Sequence, residues 1–430
     1  MLEQKHGESL RKSTALELMR RWCLFALAIG GLGACHAGAM HGLVLGDDGA
    51  PVARAEVRTD ARVVTTAPDG AFEFTSTSIP YDAVVVVGGN RFTIYKGLTR
   101  KDPILYAGGA KVGTRHLSQV AGTLVGGSGF PVDPSMASVA VALDVQFGFG
   151  FADGGTGGFS MNGGWAGGLD TVRATLRALE RSPGSGVPSV YLAYGEQTVT
   201  LANGVPLGGV QIALKPVATA HASGHLSLPP SSRVSALSFD VVLDAVALDS
   251  WFDPSPSSTS SFSVPMPDIP GAAVRVQADA FGITGGTRVW RFLRPGMTDV
   301  NVDVPAAPVL LSPGVGATDL LRSSALSWTN VPGAVYVLDV DAPDASAPHF
   351  RVVTSGTSTL LSDLDSLTRL PATTSITWRV TAIGPFTDLD STASSAGFSS
   401  VAQLALRGLS QPSENRFNAP SSGQAFTLKP

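Results

Sequence analysis

The sequence predicts an all-β protein built from several small sandwiches, and three observations predict it. Of 430 residues, 49 are Gly and 29 Pro, only 15% are charged and 44% are apolar. That mixture supplies real cores, and its wealth of turn formers favours short strands over long helices. Short segments of alternating apolar residues, bounded by Gly, Pro, Asn and Asp, run from residue 40 almost to the end. One skeleton of strand and turn also recurs with growing divergence. The length exceeds one compact domain and points to two to four.

Residues 40–110 open with the strand His41-Gly-Leu-Val-Leu45, a turn at Asp48-Gly49 and a restart at Pro51-Val52. Ala55-Glu-Val-Arg-Thr59 alternates as a half-buried strand does. Pro68-Asp69-Gly70 is a turn in which Gly supplies the positive φ. Phe72 and Phe74 then share one face, and Val84 to Val87 reads as a strand buried on both faces. On Gly42-x-Val44, the D-x-G-x-P-V stretch Asp47 to Val52, Ala55-x-Val57 and Asp69-Gly-Ala-Phe-Glu-Phe74, this segment resembles the carboxypeptidase regulatory-like domain, a transthyretin-like β-sandwich. The resemblance implies a fold and no reaction.

The skeleton recurs in residues 111–217 and 218–304. Val120-Ala-Gly122-Thr-Leu124 repeats the opening, with a turn at Gly126 to Gly129 and then Pro131-Val132; Ala222-Ser-Gly224-His-Leu226 opens the third copy. Phe72-x-Phe74 corresponds to Phe159-x-Met161 and Phe262-x-Val264, and Val210-x-Ile212-x-Leu214 to Val300-x-Val302-x-Val304. The spacing of Gly42, Gly122 and Gly224 is too irregular for a solenoid and suits separate Ig-like or transthyretin-like sandwiches. Leu169 to Glu180 has helical composition. Its register with the strand Ala273 to Asp279 of the third copy favours a strand, because tertiary context overrides propensity.

From Pro305 the pattern changes. Trp328 in an early strand, the Pro332-Gly333 turn, Tyr336 and the later strand Ile376-Thr-Trp378-Arg-Val-Thr-Ala382 resemble a fibronectin type III domain over residues 305–400, with Trp378 where that family often has tyrosine. Residues 401–430 supply a last strand and then a loose end.

At the other end, Arg20-Arg21, the apolar run Trp22 to Gly33 and the exit Leu32-Gly-Ala-Cys35 have the layout of an export signal. The run is shorter than the roughly 20 residues a membrane-spanning helix needs. Leu32 to Cys35 resembles the lipobox of bacterial lipoproteins, which implies cleavage after Ala34, a linker at 35–39 and a lipid on Cys35. The signal occupies 1–34, and Met19 before Arg20-Arg21 reads as its true initiator, with a long n-region from residue 1 as the alternative. A buried core helix, or an ordinary thiol at a plain secretory site, are the alternatives. Removing residues 1–34 takes five Lys/Arg and three Asp/Glu and moves the net charge from −4 to −6. With no basic block, nucleic acid is excluded as a partner. Cys23 lies within the signal, so the mature chain keeps Cys35 alone and forms no disulfide.

Few residues suggest chemistry. His221 and His225 have H-x-x-x-H spacing, but four residues along a strand span about 13 Å, too far for one ion. Asp339, Asp341 and Asp344 sit where a hairpin turns, which admits a solvated turn or a calcium loop. The Gly-rich stretch 148–168 carries Phe149, Phe151 and Trp165. It lacks a phosphate-cradling pattern. Its readings are a loop pinned to a core or an exposed aromatic platform for sugars or a protein, with Trp251-Phe252 as a second aromatic pair. No G-x-S-x-G serine, carboxylate pair, metal set or cofactor motif stands out.

The expectation is therefore a non-catalytic lipoprotein of the cell envelope, membrane-bound through Cys35, that binds, adheres or scaffolds, with an envelope protein or a glycan as ligand. The alternative is a carbohydrate-binding or accessory component of a polysaccharide-processing or export system. His36 after the cysteine is not the aspartate that retains some lipoproteins at the inner membrane, which favours the outer one.

Overall fold

The computed structural model describes residues 39–430 apart from 47–48, 60–61, 76, 108–113, 129–137, 144–147, 154–155, 167–168, 183–189, 245, 254–260, 345, 373, 396 and 398–414. Cys35 and the run Trp22 to Gly33 lie outside the described residues.

Among the described residues the regular structure is nearly all strand, with two short helices. A first unit comprises β1 (Met40–Gly46), β2 (Glu56–Thr59), β3 (Arg62–Thr65), β4 (Ala71–Phe74), β5 (Tyr81–Val87), β6 (Arg91–Leu98) and β7 (Ile104–Ala107). A second follows with β8 (Arg115–Gly126), β9 (Ser138–Leu143), β10 (Phe149–Phe151), β11 (Gly158–Ala166), β12 (Thr171–Arg181), β13 (Tyr191–Ala202) and β14 (Leu207–Pro216). The third holds β15 (Thr219–Ser227), β16 (Arg233–Leu243), β17 (Val246–Asp253), β18 (Ser261–Pro267), β19 (Ala273–Gly282), β20 (Gly285–Leu293) and β21 (Val300–Asp303).

The pairing order is the same in all three. A small sheet places the first strand between the fourth, antiparallel, and the seventh, parallel: β4-β1-β7, β11-β8-β14 and β18-β15-β21. A larger sheet runs β3-β2-β5-β6, β10-β9-β12-β13 and β17-β16-β19-β20. In the second unit β13 also pairs with β14, which joins its two sheets.

One device recurs at the same place in each small sheet. Gly42 faces Phe72, Gly122 faces Phe159 and Gly224 faces Phe262. A Cβ on any of these glycines would fall 2.2–2.8 Å from the Phe ring and 2.1–2.8 Å from a backbone carbonyl in or just before the parallel neighbour strand. The ring therefore lies over bare backbone, an arrangement only Gly permits.

The segment Leu169 to Glu180 is strand from Thr171 onward, in β12, equivalent by position to β19. Ala174, Leu176 and Ala178 enter the second unit's own core, while Leu179 joins the core of the third. Burial on both faces outweighs the helical composition.

The last unit has β22 (Leu310–Ser312), β23 (Ala317–Leu320), β24 (Ala325–Trp328), β25 (Val335–Asp341), β26 (His349–Thr354), β27 (Ser358–Leu360), a short helix α1 (Leu361–Asp365), β28 (Ile376–Gly384), α2 (Leu389–Thr392), β29 (Arg416–Pro420) and β30 (Gln424–Leu428). Its small sheet is β22-β24-β27, and β28, β25 and β26 form the facing layer. Trp328 and Trp378 fill the core between them, with Tyr336 packed 5.6 Å from Trp328. The C-terminal segment contributes two strands where the sequence predicts one: β29 pairs with β28 and β20, and β30 pairs with β28 and β23. Phe417, Ala419, Phe426 and Leu428 are buried there.

The units do not adjoin in chain order, as independent sandwiches on a string would. The larger sheets of the first, third and last units merge into one sheet running β17-β16-β19-β20-β29-β28-β25-β26-β6-β5-β2-β3. The first unit thus meets the last through parallel pairing of β6 with β26, from His349↔Arg91 to Val353↔Tyr95. This explains the doubly apolar β5: Ala83 and Val85 face the first unit's core, while Val84 and Val86, with Phe92 and Ile94, join the core that contains Phe350 and Trp378. Phe92 stacks on Phe350 at 5.1 Å. Lys96 meets Asp363 of α1 at 2.7 Å, and the amide of Thr99 donates to Asp390 of α2 at 2.8 Å.

Candidate functional site

The residues singled out from sequence do not converge. Phe149 and Phe151 lie on β10, where the Phe149 side chain is outside the described residues and Phe151 is 59% exposed. Trp165 is only 5% exposed: its indole N–H donates to the Leu169 carbonyl at 2.7 Å, its ring stacks on His116 at 5.5 Å, and it belongs to the second unit's core. The two strands touch at Ala152 and Phe159, and Trp165 is six residues beyond, about 20 Å along a strand. The expected platform of Phe149, Phe151 and Trp165 is therefore corrected in its third member, which offers no face to solvent. Trp251 is likewise buried, stacked on Phe239 at 5.6 Å, while Phe252 is exposed.

The three aspartates also separate. Asp339 is buried and held by Arg351 at 2.9 Å and Arg379 at 3.3 Å on the neighbouring strands. Asp341 pairs with His349. Asp344 accepts from the amide and hydroxyl of Ser346 at 2.8 Å, which holds its carboxyl below the usual carboxylate range. On β15, His225 faces Asp299 at 3.3 Å and His221 is exposed. Among the described residues no group of three or more His, Cys, Asp or Glu is arranged to hold a metal.

A polar cluster ties the second unit to the third. Arg177 of β12 reaches Asp244 at 2.9 Å, and Arg181 lies 3.5 Å from Asp249 of β17. The Tyr191 hydroxyl donates to Asp249 at 3.2 Å. Burial pushes the Asp249 carboxyl up, against the pull of Arg181, and burial pushes the Tyr191 hydroxyl up as well.

A concavity lies elsewhere, on the solvent face of the long sheet where β20 meets β29. It is an open cleft of about 570 Å³, bordered by β16, β19, β20 and β29. The cross-strand register sets Asp279, Arg288 and Asn418 side by side. Asp279 and Arg288 form a two-pronged ion pair, Nε to Oδ1 at 2.6 Å and Nη2 to Oδ2 at 3.1 Å. That bond, ahead of the partial burial that opposes it, pushes the Arg288 guanidinium further up. One step along the same face, Phe281 pairs with Gly286, and its ring edge lies 3.1 Å from where a Cβ on Gly286 would be. Phe281 remains 55% exposed. The sequence carries a signal for half of this: Asp279 and Phe281 alternate outward on a strand whose even positions are apolar. Asn418 arrives from a strand far down the chain, which no local pattern announces.

No family model matches the chain, and no curated protein does. Among solved structures, it is similar to a Bacillus anthracis protein described as the TIE protein (12% identity, 62% of this chain and 50% of that one, TM-score 0.15). It thus spans about half the length of that protein. Others are a fimbrial assembly protein from Parabacteroides distasonis (9% identity, 42% of this chain and 96% of that one, TM-score 0.17) and the minor pilin of Streptococcus agalactiae (12% identity, 41% and 97%, TM-score 0.17). At these TM-scores the superpositions carry no argument about function, and the all-β assignment rests on the strands themselves.

Proposed function

We propose that this chain is a non-catalytic, lipid-anchored protein of the bacterial cell envelope that holds binding surfaces in a fixed arrangement, for adhesion or scaffolding. The observation that carries this reading is the long sheet. Backbone pairing of β6 with β26 and of β20 with β29 fixes three units relative to one another, where flexible linkers would leave them free. Ion pairs go to the same end: buried Asp339 with Arg351, Asp240 with Arg275 at 2.8 Å, and buried Arg177 with exposed Asp244 all tie strand to strand or unit to unit. The strand order of the first three units supports kinship with carboxypeptidase regulatory-like sandwiches, and Trp328, Trp378 and the two layers of the last unit support a fibronectin type III-like one. The lipobox Leu32 to Cys35 supplies the anchor, and His36 favours the outer membrane.

The anchor is tested by metabolic labelling with a fatty acid in a bacterial host. The chain is expected to carry label and sediment with membranes, and Cys35→Ser to lose both. Unchanged membrane association of Cys35→Ser refutes it. A second reading, a carbohydrate-binding component of a polysaccharide-processing or export system, is favoured by the cleft at the β20–β29 seam.

A further inference from the structure

The seam cleft has the chemistry of a sugar subsite, and we propose that it binds a neutral oligosaccharide, with Phe281 as the stacking surface and Asp279, Arg288 and Asn418 as the hydroxyl-reading row. The proposal deepens the carbohydrate reading and rests on it; it does not depend on the anchor at Cys35.

The row comes first. Asp279, Arg288 and Asn418 are direct cross-strand neighbours on three adjacent strands, so they span about 10 Å at the usual strand spacing of nearly 5 Å. The ion pair between Asp279 and Arg288 uses Nε and one Nη2 proton. Two Nη1 protons, a second Nη2 proton and further carboxylate lone pairs remain in the same plane. An anion meets Asp279 and a cation meets Arg288, so neither gains from a pair whose charges cancel. A vicinal diol, whose hydroxyls both donate and accept, matches the alternation. Asn418 adds one more donor and one more acceptor at the end of the row.

The apolar half lies beside it. Phe281 projects two residues from Asp279 on the same face, its ring edge over Gly286, with Pro420 on the cleft wall. A pyranose has one face of C–H bonds and a rim of hydroxyls. Burying the C–H face on the ring removes apolar surface from water on both partners, while the rim meets the polar row. The volume falls within the range of small-molecule clefts, and the open form suits a chain passing across the sheet. The opposite arrangement, a peptide with apolar side chains, leaves the charged pair desolvated without partners.

The test uses the full-length chain purified in detergent and a panel of maltohexaose, cellohexaose, mannohexaose and the hexamer of N-acetylglucosamine, read by calorimetry. Binding of at least one is expected, weakened at least about tenfold by Phe281→Ala and by Asn418→Ala and retained by Phe281→Tyr. Phe281 and Asn418 sit on the solvent face, so unchanged thermal unfolding of each variant separates lost binding from lost fold. Affinity should hold from about 0.05 to 0.5 M salt, because the ligand is uncharged. Binding that survives Phe281→Ala, or that Phe151→Ala abolishes instead, overturns this site and leaves the carbohydrate reading standing. Binding of none of the four overturns both, and affinity that falls steeply with salt overturns this uncharged subsite alone.

Discussion

Phe92 discriminates between one fused body and a string of separable sandwiches. It belongs to the first unit by sequence, yet it points away from that unit's core and stacks on Phe350 of the last, at 3% exposure. If the first unit stood alone, this face of β6 would be solvated and Phe92→Ala would change stability by less than about 0.5 kcal/mol. In the fused arrangement the ring removes roughly 150–250 Å² from water, or about 4–6 kcal/mol at 25 cal/mol/Å². That figure is an upper bound because the unfolded chain is partly compact. Buried Phe→Ala changes run at about 3–5 kcal/mol, and the loss expected here is about 3 kcal/mol. Denaturant unfolding measures the total. Hydrogen exchange shows where it falls, and the amides of both β6 and β26 should lose protection together. A double-mutant cycle with Phe350→Ala should show coupling of about 1 kcal/mol or more. A Phe92→Ala variant within about 0.5 kcal/mol of the parent, with β26 exchange unchanged, refutes the joint.

Two further outcomes follow from the same packing. Gly122→Ala places a methyl 2.1 Å from the Val210 carbonyl oxygen and 2.8 Å from the Phe159 ring, so β8 and β14 must part. A loss of about 3 kcal/mol is expected, the upper end of overpacking penalties, read as a lowered unfolding midpoint. Asp249 sets an acid-side dependence with a definite sign: burial raises its carboxyl in the folded state, so the folded chain takes up a proton where the unfolded chain does not. Its contribution is fully present below the ordinary carboxylate pKa and is lost as pH rises through the raised one. Stability measured across that acid window should fall with rising pH, and Asp249→Asn should flatten that component.

Much of this fold was legible in the sequence because strands have period two. Gly42 with Phe72, Gly122 with Phe159 and Gly224 with Phe262 mark the same cross-strand contact three times, and the copies in register show Leu169 to Glu180 to be a strand despite its composition. The burial of Trp165 was legible too: counting by twos from the core residues Phe159 and Met161 puts it on their face. What local pattern cannot show is which elements meet at sheet edges. The run Val84 to Val87 announces that both faces of β5 are covered. The segment that covers the second face comes from around Phe350 and α1, and nothing near β5 encodes that partner.

The same limit hid the cleft, and it links the two functional readings. A surface assembled from β19 and β20 of one unit and β29 of another keeps its shape only if the seam between them is stiff. The pairs Arg288↔Asn418, Val289↔Phe417 and Trp290↔Arg416 make that seam continuous backbone ladder, and Arg291 extends it by donating to the side chain of Asn415 at 3.2 Å. Phe417 on the inner face is buried in the shared core. The residues that fuse the units are thus the immediate neighbours of those that line the cleft, on the same strands. Rigidity and recognition share one physical origin here: loosening the seam should degrade binding at Phe281 and Asn418 before it unfolds either unit, because a row read across three strands tolerates less displacement than the cores beneath it.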